Sequence, residues 1–173
     1  WISGYSAGLA ERAADTRSSA APVAVPGISA QAVSVVYASQ TGNARREAEA
    51  LEAEARASGL HVRLIRADAY ALKELAAERL LAVVISTQGD GDPPDDALAF
   101  VEFLAGRRAP ALNDLKFTVL GLGDSSYPHF NAVARKIDAR LAELGGTRLS
   151  SVAQADVDIA QIAVPWRQDA LRQ

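Results

Sequence analysis

The chain has 173 residues, of which 49% are hydrophobic, with a net charge of −3 and neither cysteine nor methionine. This length suits one compact domain, and an acidic balance without basic clusters argues against a nucleic-acid-binding surface. The lack of cysteine excludes disulfides, thiolate metal sites and cysteine catalysis. No apolar run approaches the ~20 residues that a membrane span needs.

The first 30 residues differ in composition from the rest. Residues 1–14, WISGYSAGLAERAA, predict a helix, and residues 15–29 are rich in Ser, Ala, Pro and Gly, as is typical of a linker. No basic lead of a signal peptide precedes them. We expect an N-terminal helix and flexible linker over 1–30 and one folded domain over 31–173. Because position 1 is not methionine, we expect a fragment or a processed product.

Beyond the linker, strand-like and helical patterns alternate. Apolar runs predict strands at 32–38, 62–67, 80–86 and 117–122, and a weaker one at 148–153. Helical patterns cover 44–58, 71–78, 95–105, 132–144 and 158–171. Gly59 and Gly145 stand where helix C-termini need a left-handed residue. This alternation predicts an α/β fold with a parallel sheet covered on both faces, so ligands should bind at the carboxyl ends of the strands.

The loop after the first strand is built for an anion. Its short hydrogen-bonding side chains are Ser39, Thr41 and Asn43. Gly42 permits a tight turn, and the next helix adds its free amides and positive dipole end. The loop is not a nucleoside-triphosphate loop, because that motif needs a lysine after its second glycine. The loop therefore suits a phosphate gripped by backbone and hydroxyl groups, with Arg45 and Arg46 on the helix surface; the alternative is an ordinary turn with a Thr or Asn cap.

The second loop, residues 86–96, combines two glycines with four aspartates. The glycines let the backbone approach the polar edge of a flat heterocycle. An EF-hand is excluded because Pro94 occupies the fifth ligand position and no Glu falls at the twelfth. Asp95 or Asp96 is expected to cap the next helix. The remaining charge forms either a solvated rim or an electrostatic docking surface, and the acidic residues concerned are Asp90, Asp92, Asp95 and Asp96.

The third loop, residues 122–131, places an aromatic residue among glycine and serine. Tyr127 offers the platform that a planar π ligand needs; the alternative is that Tyr127 or Phe130 plugs the end of the sheet. Gly121-x-Gly123 is not a dinucleotide fingerprint, because position 126 is Ser and the motif follows the fourth strand. We expect no catalytic nucleophile and no metal ligands.

Together the three loops, SQTGNA, STQGDGDPPDDA and LGDSSYPHFN, resemble the three FMN loops of diflavin reductases. That superfamily includes NADPH–cytochrome P450 reductase and the flavoprotein subunit of NADPH-dependent sulfite reductase. The resemblance spans residues 32 to 172. Gln88 in S-T-Q-G and the lead-in WISGYSAGL favour the sulfite reductase branch, whereas Phe130-Asn131 is similar to the ending of other diflavin enzymes.

This resemblance implies a flavodoxin-like three-layer sandwich with a five-stranded parallel sheet in the order 2-1-3-4-5. It also implies an FMN site. The residues expected to bind the phosphate are Ser39, Gln40, Thr41, Gly42, Asn43 and Ala44. Those expected to line the edge of the flavin ring are Ser86, Thr87, Gln88 and Gly89. Those expected to cover the other side of the ring, with Tyr127 stacked on it, are Leu122, Gly123, Asp124, Ser125, Ser126, Tyr127, Pro128, His129, Phe130 and Asn131. Asp156 matches an acidic position near the flavin, although by itself it would be read as a turn or helix cap.

The same resemblance implies an oxidoreductase role. Electrons would pass from FAD and NADPH modules that are missing from this chain, through FMN, to a haem/iron–sulfur sulfite reductase subunit. The chain alone is not expected to oxidise NADPH, and we expect a cytoplasmic location. The alternatives are the FMN domain of another diflavin reductase and a stand-alone flavodoxin. A non-redox signalling module is disfavoured, because receivers need acidic residues after the first strand and this loop carries hydroxyls and amides.

Overall fold

The computed structural model describes residues 32–172. The predicted N-terminal helix and linker over 1–30 lie outside the described residues. Within the described range, the chain forms a parallel sheet with helices on both faces. The strands are β1 (Val33–Ala38), β2 (Val62–Arg66), β3 (Leu80–Ser86), β4 (Lys116–Leu122), β5 (Thr147–Arg148) and β6 (Ala153–Ala155). Their order is β2-β1-β3-β4-β5, with β6 also on β4, which confirms the predicted topology.

The prediction of one strand over 148–153 was wrong, because this edge of the sheet carries two short strands. β5 pairs with the start of β4, and β6 pairs with its end. Between them the chain opposes Thr118 with Ser150, whose hydroxyl groups lie 3.0 Å apart. The ladder runs as far as the Leu149 amide, which donates to the Phe117 carbonyl at 2.8 Å, and resumes where Ala153 pairs with Leu120. The edge strand is therefore interrupted between these two points.

The helices cover both faces of the sheet, two on each face. They are α1 (Asn43–Ala57), α2 (Leu98–Ala105), α3 (Ala132–Glu143) and α4 (Ile159–Leu171). One buried cluster joins α1 and α4 to one face, and a second joins α2 and α3 to the other. Side chains of a strand point alternately to opposite faces, so Val35 enters the first cluster and Val36 the second. This is the predicted three-layer α/β sandwich.

The predicted α-helix at 71–78 is instead a 3₁₀ helix at Leu72–Ala77, preceded by another at Ala67–Ala69. Hydrogen bonds from the Glu74 amide to the Ala71 carbonyl (2.8 Å) and from the Glu78 amide to the Leu75 carbonyl (3.3 Å) have the i→i+3 spacing. A 3₁₀ helix rises about 2.0 Å per residue, against 1.5 Å for an α-helix. The short connection between β2 and β3 therefore covers more of the sheet than an α-helix of the same length.

Strand β3 sets the geometry of the ligand end. It pairs with β1 on one side and with β4 on the other along its length, and all its residues after the first are buried. Ala38 lies opposite Ile85, and Ser86 lies opposite Leu122. The carboxyl ends of β1, β3 and β4 therefore stand side by side, and the three loops leave the sheet together. Gly59 and Gly145 have φ values of 84° and 103°, as predicted for helix C-termini.

A buried carboxylate, that of Glu78, lies against Ser34 near the amino end of β1. Glu78 is 9% exposed, and it accepts hydrogen bonds from the Ser34 hydroxyl at 2.8 Å, the Tyr70 hydroxyl at 3.1 Å and the Arg63 guanidinium at 2.9 Å. Burial, followed by the charge of Glu78, raises the pKa of Tyr70 far above its usual range. Glu74 is a partly exposed second partner of Arg63.

We predict that Glu78→Ala lowers the free energy of unfolding by about 2–4 kcal/mol, because it leaves two buried hydroxyl groups without their acceptor. Urea denaturation measures the change. Glu74→Ala is the matched control: it removes a carboxylate from the same arginine at a partly exposed position, and we expect a loss below about 1 kcal/mol. Equal losses for the two variants would contradict the assignment.

Candidate functional site

A cavity of about 420 Å³ opens at the carboxyl ends of β1, β3 and β4. The predicted site residues that line it are Thr41, Asn43, Ser86, Thr87, Gly89, Leu122, Gly123, Asp124, Tyr127, His129, Phe130 and Asp156. The other predicted site residues lie outside the lining, and they are Ser39, Gln40, Gly42, Ala44, Gln88, Ser125, Ser126, Pro128 and Asn131. All three loops thus contribute to one cavity of the size of small-molecule sites.

The first loop presents the start of α1 to this cavity. The N-cap is Gly42, in a left-handed conformation with φ 87°, and no side chain of the cap residue bonds the helix. The alternative of a Thr or Asn cap is therefore wrong. The Ser39 hydroxyl accepts from the Ala44 amide at 3.2 Å. The other amides of the first turn have no intrahelical acceptor, and the helix dipole adds positive potential. The loop therefore offers an anion site.

The two arginines of α1 lie on the helix surface, as predicted. Both are exposed. Arg45 pairs with Glu49 one turn further on, at 2.7 Å. The Arg46 guanidinium donates to the side-chain oxygen of Asn43, which lines the cavity, and so fixes the orientation of that amide.

The second loop closes on itself beside the cavity. The Gln88 amide donates to the Asp92 carbonyl at 2.8 Å, and the Asp92 amide donates back at 3.0 Å. Gly89 and Gly91 have φ values of 50° and 107° within this turn. A Cβ at Gly91 would stand 2.5 Å from the Cβ of His129. Glycine is therefore required here both for the backbone conformation and for the approach of the third loop.

The prediction that Asp95 or Asp96 caps the next helix was wrong. Pro94 and Ala97 are the cap residues of this segment, and neither makes a side-chain cap bond. Asp96 instead accepts a hydrogen bond from the Ser39 amide at 3.3 Å. Its other carboxylate oxygen is buried and has no partner among residues 32–172. Asp96 therefore ties the second loop to the first.

The third loop presents Tyr127 to the cavity with 52% of the residue exposed. The alternative that Tyr127 plugs the sheet is therefore wrong. The loop is folded by its own hydrogen bonds: the Asp124 carboxylate accepts from the Ser126 amide at 2.9 Å, and its carbonyl accepts from the Tyr127 amide at 3.1 Å. Phe130 is partly buried and His129 is exposed. An exposed ring on a structured loop is a ready platform for a planar ligand.

Asp156 follows β6 and lines the same cavity. Its carboxylate accepts from the Ser125 amide at 3.0 Å and from the Val157 amide at 2.8 Å. Hydrogen bonding from Ser125, and then from Val157, holds the pKa of Asp156 below its usual range, so this carboxylate is charged at neutral pH. It anchors the third loop to the sheet edge. The helix-cap alternative is wrong, because the N-cap of α4 is Asp158.

Two lining residues were not predicted from the sequence. Val157 is 78% exposed at the mouth of the cavity, and Ile159 begins α4 behind it. An apolar residue between two aspartates after a strand, as in the segment ADVD, is the signal that identifies Val157.

Two other features, a metal centre and a membrane-spanning helix, are absent from residues 32–172. No group of three or more His, Asp or Glu side chains there is arranged to hold a metal ion. None of the helices in this part of the chain is long and apolar enough to cross a membrane.

The family model for flavodoxin matches residues 35–163. The chain therefore belongs to the flavodoxin family. It is 45% identical over 168 residues to the sulfite reductase [NADPH] flavoprotein alpha-component of Cronobacter sakazakii, 46% over 167 residues to that of Sodalis glossinidius and 46% over 169 residues to that of Escherichia coli strain K12. The matches cover 97%, 96% and 96% of this chain and 27% of each of those proteins. The chain thus spans about a quarter of the length of these relatives.

Solved flavodoxin structures share the fold. A short-chain flavodoxin associated with a PDU bacterial microcompartment has a TM-score of 0.71 at 20% identity, covering 82% of this chain and 97% of that one. The flavodoxin of Streptococcus pneumonia TIGR4 also has a TM-score of 0.71, at 23% identity, covering 82% and 98%. At this level of identity the likeness concerns the fold alone.

We predict that Gly91→Ala lowers the free energy of unfolding by about 2–4 kcal/mol, because it adds a clash with His129 to the cost of a left-handed alanine. Thermal or urea denaturation measures the change. Gly59→Ala is the control, because Gly59 has a similar φ of 84° and no atom within 4 Å of the added Cβ. It should lose only about 1–2 kcal/mol. If Gly91→Ala is no less stable than Gly59→Ala, the close approach of the two loops is wrong.

Proposed function

We propose that this chain binds FMN and passes electrons within an NADPH-dependent sulfite reductase. Residues 31–173 form the FMN-binding domain in this proposal, and the protein works in the cytoplasm. The observation that carries it is the convergence of an uncapped helix start, an exposed tyrosine and a glycine turn on one cavity. The match to sulfite reductase flavoproteins over nearly the whole chain supports the choice among flavodoxin-like proteins.

The phosphate of FMN fits the first loop. Thr41 and Asn43 bring a hydroxyl and an amide to the cavity, and the start of α1 supplies amides with a positive dipole end. Neither Arg45 nor Arg46 is needed, because both are engaged by neighbouring side chains. In this proposal the phosphate is held by uncharged hydrogen-bond donors and by the helix dipole. Because hydrogen bonds are directional, the site recognises the geometry of a phosphate as well as its charge.

The flavin ring fits between the second and third loops. Tyr127 offers an aromatic face on one side, and Thr87 and Gly89 line another wall. Asp124 and Asp156 place carboxylates in the same cavity. Their negative charge disfavours further negative charge on a bound ring and so contributes to its redox potential.

Bound FMN would supply the redox chemistry, since a flavin exchanges electrons one or two at a time. The residues of this chain bind and orient it and limit its exposure to water. In this proposal the FAD and NADPH modules belong to the part of the enzyme that this chain does not contain. The chain by itself therefore does not oxidise NADPH. The acceptor is a haem/iron–sulfur sulfite reductase subunit.

We further propose that the acceptor docks on the acidic second loop. Asp90, Asp92 and Asp95 are exposed beside the cavity. Asp96 is left out of this surface, although the sequence suggested it, because its carboxylate accepts the Ser39 amide. Carboxylates at the rim steer a partner with a basic patch toward the flavin and act mainly on the association rate.

The first-loop assignment predicts a ligand-specific effect for Thr41→Val. Loss of the hydroxyl should weaken FMN binding by roughly 10- to 150-fold, because a hydrogen bond to a charged group contributes roughly 1.5–3 kcal/mol. Riboflavin, which has no phosphate, should bind wild type and variant equally. Quenching of flavin fluorescence measures both dissociation constants. An equal loss of affinity for FMN and riboflavin would contradict the phosphate assignment.

The docking surface predicts a charge effect on electron transfer. Asp90→Lys together with Asp92→Lys should slow reduction of the acceptor about tenfold at low salt, and the difference should shrink as salt screens the charges. Stopped-flow absorbance of the haem measures the rate. Asp114→Lys is the control, because Asp114 is exposed just before β4, at the opposite end of the sheet. A double variant with the wild-type rate and salt dependence would sink the proposed surface.

One experiment tests the whole proposal. The FMN-loaded chain is reduced photochemically and mixed with purified sulfite reductase haemoprotein, and the haem spectrum is followed. Reduction of the haem within the mixing experiment supports the proposed acceptor. A protein that binds FMN and reduces a P450-type acceptor, but leaves the haemoprotein oxidised, would favour another diflavin branch. A colourless chain that takes up no FMN would overturn the proposal.

A further inference from the structure

Asn131 occupies an unusual position at the start of α3. It is the N-cap of that helix, with φ 51° and ψ 26°, and it is the one non-glycine residue with a positive φ among the described residues. It is completely buried and does not line the cavity, although the sequence suggested that it binds the cofactor. Asparagine tolerates this conformation better than most residues, but a buried polar side chain also needs partners.

The side chain of Asn131 finds its partners on two different walls of the site. Its amide nitrogen donates to the Ala155 carbonyl at 3.2 Å, at the end of β6. Its amide oxygen accepts from the Thr87 hydroxyl at 3.4 Å, in the second loop. The Ala155 carbonyl also accepts from the Gly123 amide at 3.0 Å. One amide therefore joins the second loop, the third loop and the edge strand that leads to Asp156.

Two glycines make room for this amide. A Cβ at Gly121 would lie 2.9 Å from the Asn131 side-chain oxygen, and a Cβ at Gly123 would lie 3.0 Å from it. Neither glycine has a positive φ, so neither is required by its backbone conformation. Asn131 shares the space that their missing side chains leave with the Ala134 methyl beside Gly121 and the Phe130 ring beside Gly123. The cavity wall at Gly123 therefore rests partly on Asn131.

We propose that Asn131 is a positioning residue that fixes the second and third loops at the separation the flavin ring requires. It acts through Thr87, Ala155 and Gly123 without touching the ligand. The inference rests on the proposed function, because the ring in question is that of FMN. Loss of the amide leaves the two walls joined by the backbone bond from Thr87 to Leu122, at 2.8 Å, and by the contact of Gly91 with His129. With one tie fewer, the walls move apart more readily and hold the ring less firmly.

The test compares Asn131→Gly with Thr118→Val. Glycine keeps the left-handed backbone and removes only the side chain. Thr118 is the matched control on β4: it is 2% exposed, accepts from the Trp166 indole at 2.7 Å and contacts the Ser150 hydroxyl at 3.0 Å, away from the cavity lining. Three quantities are measured: the free energy of unfolding of the apoprotein, the FMN dissociation constant, and the visible circular dichroism of bound flavin.

We expect Asn131→Gly to raise the FMN dissociation constant about tenfold or more and to change the flavin dichroism. Thr118→Val should lose stability to a similar extent while its dissociation constant stays within about twofold of wild type. Asn131→Asp is the second variant if the glycine variant fails to fold. It keeps the size and the acceptor toward Thr87 and loses the donor toward Ala155, so it should also weaken FMN binding.

Two results overturn the inference in distinguishable ways. If wild type binds FMN and the Asn131 variants bind it equally well with unchanged dichroism, Asn131 has only a role in stability and the positioning role is wrong, while the proposed function stands. If wild type itself binds no FMN, the proposed function fails and the inference fails with it.

Discussion

The pairing of β3 with a neighbour on each side is the constraint on which the rest of the structure depends. Its register sets Ala38 opposite Ile85 and Ser86 opposite Leu122. A shift of one residue in either ladder would turn every buried side chain of that strand to the other face, so the register is held by both cores. The carboxyl ends of β1, β3 and β4 therefore lie side by side at one edge of the sheet, and the loops that follow them are in contact.

Where the loops meet, most of the contacts between them involve backbone groups and small residues. The Ser39 amide bonds Asp96, the Thr87 amide bonds the Leu122 carbonyl, and Gly91 allows close contact with His129. Each contact joins two different loops. The site is consequently one unit rather than three independent segments, and the phosphate binding proposed for its first loop needs no cationic side chain. Such a rigid, preorganised cavity suits a cofactor that remains bound while electrons pass through it.

Much of this arrangement could be predicted from the sequence, because periodicity reports which face of an element is buried. The alternation of strands with helices and the left-handed Gly59 and Gly145 follow from local patterns and turn chemistry. The strand order is implied by the resemblance to diflavin reductases. The failures involve distant partners. Asp96 has the composition of a helix cap, yet the amide that it accepts belongs to Ser39, 57 residues away.

The interruption of the edge strand, where the Ser150 hydroxyl lies 3.0 Å from that of Thr118, likewise involves a residue distant in the sequence. Asn131 was expected to contact the ligand because it ends a ligand-binding loop, and only the three-dimensional structure shows that it is buried behind the cavity lining. Hydrogen–deuterium exchange with and without FMN tests the central claim most directly. We predict that FMN protects 39–44, 86–91 and 122–130 together, leaving the Gly59 turn unchanged. Failure to bind FMN, or protection confined to one loop, would contradict a single site built by all three.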